Sequence, residues 1–244
     1  MKAIVLCAGR GGRLRPLTDD RPKCLLAFGD RTILECCLDK MKSVGIRDVV
    51  LVTGYKKEMI EQLVLEKSLS GVASVYNADF AGTNTAVSLN LALKVVDDDF
   101  ILANGDVLFD AEILGDLLRY PGPHCIAVDT DIPLDREEIK VIAREGRVTK
   151  IGKDLDPKHS LGEAIGLYKV GRGLIPDLIR IYDDLERRGE YHHFFEKGFE
   201  RVCEEGGDGR FFGLSATIGR PWVEIDTHED FDYARREIFP RVCG

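Results

Sequence analysis

The chain has 244 residues, of which 44% are hydrophobic and 31% are charged, and its formal net charge at pH 7 is −8. A chain of this size can bury one substantial core, so we predict one domain over 1–244. The negative charge argues against a nucleic-acid partner, because binding to a phosphate backbone depends on clustered Lys and Arg. An anionic ligand would have to meet a local basic pocket.

The N-terminal half of the chain alternates short apolar runs with segments of helical period. The apolar runs predict buried strands at KAIVLC (2–7), DVVLVTG (48–54), VASVY (72–76) and DFILANGD (99–106). The first helix is predicted from a capping box of Thr32 and Glu35, and from Gly45 at the position of a C-terminal cap. A second helix is predicted over 56–67, and a third from Thr83-Asn84. This alternation indicates βαβ units on a parallel sheet.

After Pro121 the pattern changes to strands that we expect to join the same sheet. They are HCIAVDTD (124–131), a hairpin over 138–153 that turns at Glu145-Gly146, and EAIGLYKV (163–170). The remaining elements are predicted as helices over 173–188 and 193–204, strands over 211–218 and 222–226, and a closing helix from His228. The predicted fold class is α/β, with a Rossmann-like mixed, mainly parallel sheet flanked by helices. Ligands of such sheets bind beyond the carboxyl ends of the strands, where segments 8–13, 82–85 and 104–106 lie.

Two negative expectations concern membranes and cysteines. The apolar run at 2–7 is too short for a membrane span and does not have the form of a signal-peptide core, so we expect a cytoplasmic protein with no membrane partner. The seven cysteines form no C-x-x-C pair, which argues against disulfides and a zinc site. Cys36 and Cys37 lie on a predicted helix and are expected to be small buried hydrophobes.

The loop AGRGGRLRP (8–16) interleaves glycines with arginines directly behind the first strand. The dinucleotide fingerprint G-x-G-x-x-G fails, because Leu14 stands at the third glycine position, and no Gly-Lys-Ser/Thr completes a Walker A motif. What remains is a glycine-rich turn whose backbone N–H groups can face a phosphate, with Arg13 inside the turn and Lys23 shortly beyond it. Two cations that converge on such a turn suit a triphosphate. The alternative is a solvated basic turn.

These residues resemble the signature A-G-x-G-x-R-L-x-P-x-T-x-x-x-P-K of the nucleotidyltransferases that activate sugar phosphates and phospho-alcohols. The matching positions are Ala8, Gly9, Gly11, Arg13, Leu14, Pro16, Thr18, Pro22 and Lys23. The likeness extends through GTNTAVSL (82–89), NGD (104–106), GEAIGLYKV (162–170) and VEIDTHEDF (223–231), so it covers most of the chain. It implies the nucleotide-diphospho-sugar transferase type of fold.

The resemblance also implies roles for individual residues. The loop backbone, including Ala8, Gly9, Gly11 and Gly12, and the Arg13 side chain would bind the triphosphate, and Lys23 would bridge the nucleotide and acceptor phosphates. Gly82 and Thr83 would contact the base, with Asn84 as an additional donor. Asp106 and Asp226 would be ligands of Mg²⁺, which is the expected cofactor. Taken alone, Asp106 is equally well interpreted as a turn residue.

The implied chemistry agrees with the residues present. A phosphate monoester has a second pKa of about 6, so near pH 7 it is already an anionic nucleophile that needs no general base. Its attack on the α-phosphorus of a nucleotide brings two anions together. Catalysis should therefore depend on cations, metal ions and in-line positioning, which Arg13, Lys23, Asp106 and Asp226 would supply.

For the substrates, the sequence predicts a nucleotide donor and a class of acceptor. The chain is most similar to the compact cytidylyltransferases of the phosphocholine, inositol-phosphate and aminoalkylphosphonate type, so we expect CTP as donor rather than UTP or another nucleotide. The acceptor would be a phospho-alcohol, a phosphonate or a sugar phosphate. The residues expected to bind it are Lys153, for its phosphate, and Glu163, Tyr191, Glu196 and Trp222, for an ammonium group through charge and cation–π attraction. The alternatives are a solvated lysine at 153 and packing roles for Tyr191 and Trp222.

Three alternatives to a cytidylyltransferase remain from the sequence. One is a sugar-1-phosphate nucleotidyltransferase that uses UTP or another nucleotide. Another is a non-catalytic nucleotide-binding regulator, which the full set of four charged residues disfavours. The third is a glycosyltransferase, which would need a D-x-D metal motif where this chain has Asn104-Gly105-Asp106. A homodimer is a further possible assembly.

Overall fold

The computed structural model describes residues 1–207 and 209–243. The strands are β1 Lys2–Cys7, β2 Ala27–Phe28, β3 Arg31–Thr32, β4 Val49–Thr53, β5 Val72–Tyr76, β6 Phe100–Asn104, β7 Val107–Phe109, β8 Cys125–Asp129, β9 Lys140–Arg144, β10 Arg147–Gly152, β11 Gly162–Val170, β12 Gly213–Ala216 and β13 Trp222–Glu224. The helices are α1 Ile33–Ser43, α2 Lys57–Glu66, α3 Thr85–Leu93, α4 Ala111–Arg119, α5 Ile175–Arg187, α6 Glu196–Glu205, α7 His228–Tyr233 and α8 Phe239–Val242. Within the described residues, no helix is both long and apolar enough to cross a membrane.

Nine strands form the main sheet, in the order β5-β4-β1-β6-β11-β8-β12-β10-β9. The strands β5, β4, β1 and β6 are parallel neighbours, and β8 is parallel to β12. Because β11 is antiparallel to β6, β8 and β9, those three strands also run in one direction. Only β11 and β10 run against the others in this sheet, so the prediction of a mixed, mainly parallel sheet is confirmed.

The two faces of the sheet are covered by different helices, because successive side chains of a strand point to opposite faces. In β1, Ile4 and Leu6 belong to the core that is shared with α3, α5 and α6. Ala3 and Val5 belong to the core that is shared with α1, α2 and α4. A third cluster, beyond the end of the sheet, joins Leu14 and the start of α1 to the C-terminal helices.

The local start and stop signals of the sequence are present in the structure. The Thr32 hydroxyl accepts from the Glu35 N–H at 3.2 Å, and the Glu35 carboxylate accepts from the Thr32 N–H at 2.9 Å, so α1 begins with the predicted capping box. Gly45, at φ +86°, follows the last turn of α1. Glu145 and Gly146 have φ values of 51° and 74°, as a tight hairpin turn between β9 and β10 requires.

Three features differ from the sequence prediction. The segment 222–226 was expected as a strand, but β13 covers only Trp222–Glu224, and it pairs with β7 in a two-stranded sheet apart from the main one. The helix predicted from 193 begins at Glu196. The helix α4 was not predicted, although Asp110 caps it by accepting from the Glu112 N–H at 2.8 Å and its apolar side packs in the core.

Candidate active site

The loops that follow β1 and β6 lie at the same edge of the sheet, because these strands are adjacent and parallel. The pairing of β7 with β13 then brings the segment after β13 to the same place, where the Ile225 N–H donates to the Asp106 carbonyl at 3.0 Å. Gly105 permits this close packing, since a Cβ there would lie 2.6 Å from the Cys7 Sγ. Asp106 and Asp226, 120 residues apart, therefore belong to one site.

The glycine-rich loop presents its backbone to this site. The N–H groups of residues 9–13 donate to no acceptor in the described part of the chain. Gly11 adopts the left-handed conformation (φ 63°, ψ 43°), and Gly12 starts a short 3-10 turn, which is the geometry of an anion-binding nest. A Cβ at Gly11 would also lie only 3.0 Å from that of Lys23, so this position requires glycine.

Lys23 is the centre of the charged cluster. Its Nζ lies 2.7 Å from the Asp106 Oδ2 and 2.6 Å from the Asp226 Oδ1. Arg13 binds the other oxygen of Asp226, with 2.5 Å between Nη2 and Oδ2. The four residues that the sequence singled out as catalytic candidates are thus linked by three ion pairs into one cluster.

Electrostatics in the cluster favours the charged forms of Lys23 and Asp226. Burial would lower the pKa of Lys23, but Asp106 and Asp226 outweigh it and raise that pKa. Burial would likewise raise the pKa of Asp226, but Lys23 and Arg13 lower it. Glu224 has no ion-pair partner among the described residues, and its burial near Asp106 and Asp226 raises its pKa well above the ordinary value.

The two aspartates fit a hydrated divalent cation. The Asp106 Oδ1 is buried and has no hydrogen-bond partner among the described residues, so one carboxylate oxygen is available as a ligand. No group of three or more His, Cys, Asp or Glu side chains with ligand geometry occurs in the described ranges. Two carboxylates are nevertheless the usual protein share for Mg²⁺, which retains water and binds substrate phosphates.

A first cavity of about 270 Å³ adjoins the glycine loop and contains the segment expected to contact the base. Gly9, Arg13, Thr83 and Asn84 line it. The Asn84 side chain has a structural role here, because its Oδ1 accepts from the Thr85 N–H at 2.8 Å and its Nδ2 donates to the His192 carbonyl at 3.1 Å. Its amide oxygen therefore caps α3, and one of its two N–H donors is used by the His192 carbonyl.

A second cavity of about 700 Å³ shares Arg13, Glu137, Glu224 and Asp226 with the first. Its lining is strongly acidic. Ten carboxylates face three guanidinium groups, which belong to Arg13, Arg220 and Arg241. The carboxylates are those of Asp129, Asp131, Asp135, Glu137, Glu138, Glu163, Glu224, Asp226, Glu229 and Asp230.

Glu163 lies in the second cavity and is 8% exposed. Lys140 is its cross-strand neighbour, but the Lys140 ammonium donates to the carbonyls of Asp135 at 3.0 Å and Glu138 at 2.9 Å. Burial and the nearby carboxylates of Glu138 and Asp129 raise the pKa of Glu163 to about 8. In the ligand-free protein at pH 7, Glu163 is therefore mainly protonated.

The residues expected to bind the acceptor are divided among three places. Trp222 shares the second cavity with Glu163, and its Nε1 donates to the Asp129 Oδ2 at 2.5 Å. Lys153 and Glu196 line the first cavity instead. Tyr191 lines neither cavity and uses its carbonyl to accept from the Asn84 N–H at 2.8 Å. The expectation that Tyr191 and Trp222 share one site is therefore corrected.

Several charged residues of the site were missed by sequence reasoning. Glu137 is one, since its Oε2 lies 3.0 Å from the Lys153 Nζ and 3.8 Å from the Arg13 Nη1. Glu224 and Asp129 are others. The only signal in the sequence was the density of acidic residues around 129–138 and 224–230.

Residues 2–120 match the family model described as "Nucleotidyl transferase". A UTP–glucose-1-phosphate uridylyltransferase from Haloferax volcanii is 39% identical over 49% of this chain and 48% of its own length. A choline-phosphate cytidylyltransferase from Streptococcus pneumoniae is 34% identical over 49% of this chain and 51% of its own. A CTP:phosphoglutamine cytidylyltransferase from Campylobacter jejuni is 26% identical over 95% and 98%.

The fold is shared with a solved structure, the inositol-1-phosphate CTP transferase from T. maritima. The TM-score is 0.80 at 21% identity, over 100% of this chain and 98% of the other. The predicted fold type is thereby confirmed, and the match of residues 2–120 to the family model supports the predicted resemblance. The chain spans about half the length of several curated relatives that it matches.

Proposed function

We propose, from the match of residues 2–120 to the nucleotidyl transferase family model, that the protein transfers CMP from CTP to the phosphate or phosphonate oxygen of a small acceptor. Pyrophosphate is the second product. In this proposal residues 1–244 act as one domain, since the charged cluster combines residues from both ends of the chain.

The observation that carries the proposal is that an anion-binding loop lies next to a pair of carboxylates that can bind a cation. The unpaired N–H groups of residues 9–13 suit phosphate oxygens. Lys23 lies between the carboxylates of Asp106 and Asp226 next to that loop. Phosphoryl transfer needs this combination, because its barrier arises mainly from charge and alignment.

The reaction consists of one displacement. An acceptor phosphate oxygen attacks the α-phosphorus, the new O–P bond forms, and the bond to the β-phosphate oxygen breaks with its electron pair leaving on pyrophosphate. Arg13 and the loop N–H groups hold the triphosphate, and Lys23 lies where it can contact both reacting phosphates. No residue has to remove a proton, because a phosphate monoester near pH 7 is largely a dianion.

Asp106 and Asp226 are the residues that would hold Mg²⁺. When bound, the ion would neutralise phosphate charge near the α-phosphorus. The two carboxylates have a second function in this chain, since they fix the Lys23 ammonium at 2.7 and 2.6 Å. The unpaired Asp106 Oδ1 leaves one oxygen free for a ligand while that contact is kept.

The acidic second cavity supports an acceptor that carries a positive charge. Ten carboxyl groups outnumber the three guanidinium groups of this lining, so the cavity repels a second anion and attracts an ammonium group. Lys153, at the wall of the first cavity, would hold the acceptor phosphate, and Glu163 with Trp222 would contact the cationic end. The substrates in the names of the cytidylyltransferase relatives, choline phosphate and phosphoglutamine, are small phosphorylated molecules, as the proposed acceptor is.

A sugar-1-phosphate reaction with UTP is the second candidate. The relative from Haloferax volcanii, which is named for UTP and glucose 1-phosphate, favours it. Carboxylates such as Glu163 would then accept hydrogen bonds from sugar hydroxyls. A non-catalytic regulator is disfavoured, since Arg13, Lys23, Asp106 and Asp226 form an intact cluster.

The test is pyrophosphate release from CTP, UTP, GTP and dTTP, each with phosphocholine, 2-aminoethylphosphonate, inositol 1-phosphate and glucose 1-phosphate. We expect turnover with CTP and a cationic acceptor. Arg13→Ala should lower kcat/KM by about 100-fold or more. Arg15→Ala is the matched control, because Arg15 pairs with Asp19 outside both cavities. If none of the four nucleotides supports pyrophosphate release, the proposal is wrong. It is also wrong if Arg13→Ala and Arg15→Ala are equally active.

Glu163→Gln separates the two candidate acceptor classes. If the acceptor is cationic, its KM should rise about ten- to hundredfold in the variant, because glutamine cannot supply the negative charge that Glu163 gains when it loses its proton beside a bound cation. The KM for inositol 1-phosphate should change much less. Equal losses on both acceptors would remove the ammonium interpretation.

A further inference from the structure

The glycine-rich loop contains three arginines, and their partners differ. Arg13 binds Asp226 at 2.5 Å, and Arg15 binds Asp19 at 3.1 Å. Arg10 has no carboxylate within 4 Å among the residues that the structure describes. Its guanidinium lies over two aromatic rings instead, 5.8 Å from the centroid of Tyr55 and 5.6 Å from that of Phe80.

The two rings are held in fixed positions. The Tyr55 N–H donates to the Ala8 carbonyl at 3.0 Å, and its hydroxyl donates to the Asp19 carbonyl at 2.8 Å, so Tyr55 spans both ends of the loop. Phe80 packs directly on Gly54, where a Cβ would lie 2.7 Å from that of Phe80. The pair therefore forms a rigid support for a cation.

The support leaves the hydrogen-bonding capacity of Arg10 unused. A ring face attracts the positive charge but accepts none of the in-plane N–H bonds in the way a carboxylate does. Arg10 also directly precedes Gly11-Gly12, whose N–H groups have no acceptor in the part of the chain that the structure describes. In a chain of net charge −8, a cation without a carboxylate partner beside an anion-binding loop is a site for an anion.

We propose that Arg10, held on Tyr55 and Phe80, binds the β- and γ-phosphates of the nucleotide and therefore the pyrophosphate product. This rests on the proposed function. The α-phosphate has to lie near Lys23 and the aspartates, where transfer takes place, so the rest of the triphosphate extends along the loop. Phe80 and Gly9 line the nucleotide cavity, which places the Arg10 support at its wall.

The role differs from that of Arg13. The Arg13 charge is neutralised by Asp226 in the ligand-free protein, whereas the Arg10 charge is not. Arg10 would therefore attract the terminal phosphates without first breaking an ion pair. Because it acts on the leaving group, it should affect nucleotide and pyrophosphate but not the acceptor.

The experiment is calorimetric binding of inorganic pyrophosphate and of CMP to the full chain with Mg²⁺ present. Arg10→Ala should weaken pyrophosphate binding about five- to tenfold, as expected for one exposed charge-assisted contact. CMP binding should stay within twofold, because CMP lacks the terminal phosphates. Phe80→Leu, which keeps the charge and removes one ring, should give a smaller loss of pyrophosphate affinity.

Arg15→Ala is the matched control and should leave pyrophosphate binding within twofold. If Arg10→Ala binds pyrophosphate as tightly as the wild type does, the inference is wrong while the proposed function stands. If Arg10→Ala weakens CMP as much as pyrophosphate, the effect is structural and the inference is wrong. If the wild type binds neither pyrophosphate nor any nucleotide, both proposals fail.

Discussion

Lys23→Met tests the central charge cluster by stability alone. The Lys23 side chain is 14% exposed, and those of its partners Asp106 and Asp226 are 22% and 32% exposed. Removing one member of a buried ion pair costs about 3–5 kcal/mol. Here we expect about 2–3 kcal/mol, because Asp226 keeps Arg13 and both carboxylates reach some solvent. For a chain of this size, that corresponds to a Tm lower by about 4–12 °C.

The assay is thermal unfolding with EDTA and with Mg²⁺. Mg²⁺ should raise the Tm of Lys23→Met more than that of the wild type, since the two carboxylates have lost their cation. Lys2→Met is the matched control, because Lys2 pairs with Asp97 at 2.7 Å on the surface, where Asp97 is 87% exposed. A Tm loss no larger than that of Lys2→Met, together with no response to Mg²⁺, would refute the reasoning.

Three further predictions concern the metal pair, a helix cap and a buried acid. Asp106→Asn and Asp226→Asn should each reduce kcat/KM strongly, and the double variant scarcely more, because both residues serve one function; multiplicative losses would indicate independent roles. Thr32→Ala removes the capping box of α1 and should cost about 1 kcal/mol, a Tm lower by about 2–4 °C, with normal turnover well below the Tm; lost turnover in the folded variant would contradict this. The pKa of Glu163 is about 8 in the folded protein against 4.5 as its ordinary value, so the folded state retains a proton that the unfolded state loses. Stability should therefore fall between pH 4.5 and 8, by up to about 1.4 kcal/mol per pH unit, and Glu163→Gln should lack this contribution. Parallel Tm profiles of the two proteins from pH 5 to 9 would disprove it.

The elements that sequence predicted well are those with local signals. The run at 3–7 is apolar throughout because β1 lies between two parallel strands and is covered on both faces. The start of α1 follows from Thr32 and Glu35 alone, since a capping box is formed within four residues. The turn at Glu145-Gly146 is predictable because glycine adopts the positive φ that such a turn requires.

The features that failed depend on contacts distant in the chain. The strand over 222–224 has the alternation expected for a sheet, but its partner β7 is specified by tertiary packing. Tyr191 and Trp222 are both aromatic and were expected to bind the same ammonium group. The fold places only Trp222 in the second cavity. The acidity of that cavity was equally hidden, because its carboxylates come from segments separated by up to a hundred residues.

The charge balance of the cluster links anion binding to cation binding. In the ligand-free site, Lys23 and Arg13 are already paired with Asp106 and Asp226, so an incoming triphosphate competes with two carboxylates for the same cations. The competition is relieved when the carboxylates gain a divalent cation, and the phosphates then take over the ammonium and guanidinium groups. Such coupling is reciprocal, so CTP should bind more tightly with Mg²⁺ present, and Mg²⁺ more tightly with CTP present, by the same factor. Asp226→Asn should weaken the coupling, because it removes one of the competing carboxylates. Calorimetry that shows equal CTP affinity with Mg²⁺ and with EDTA would contradict this account of the site.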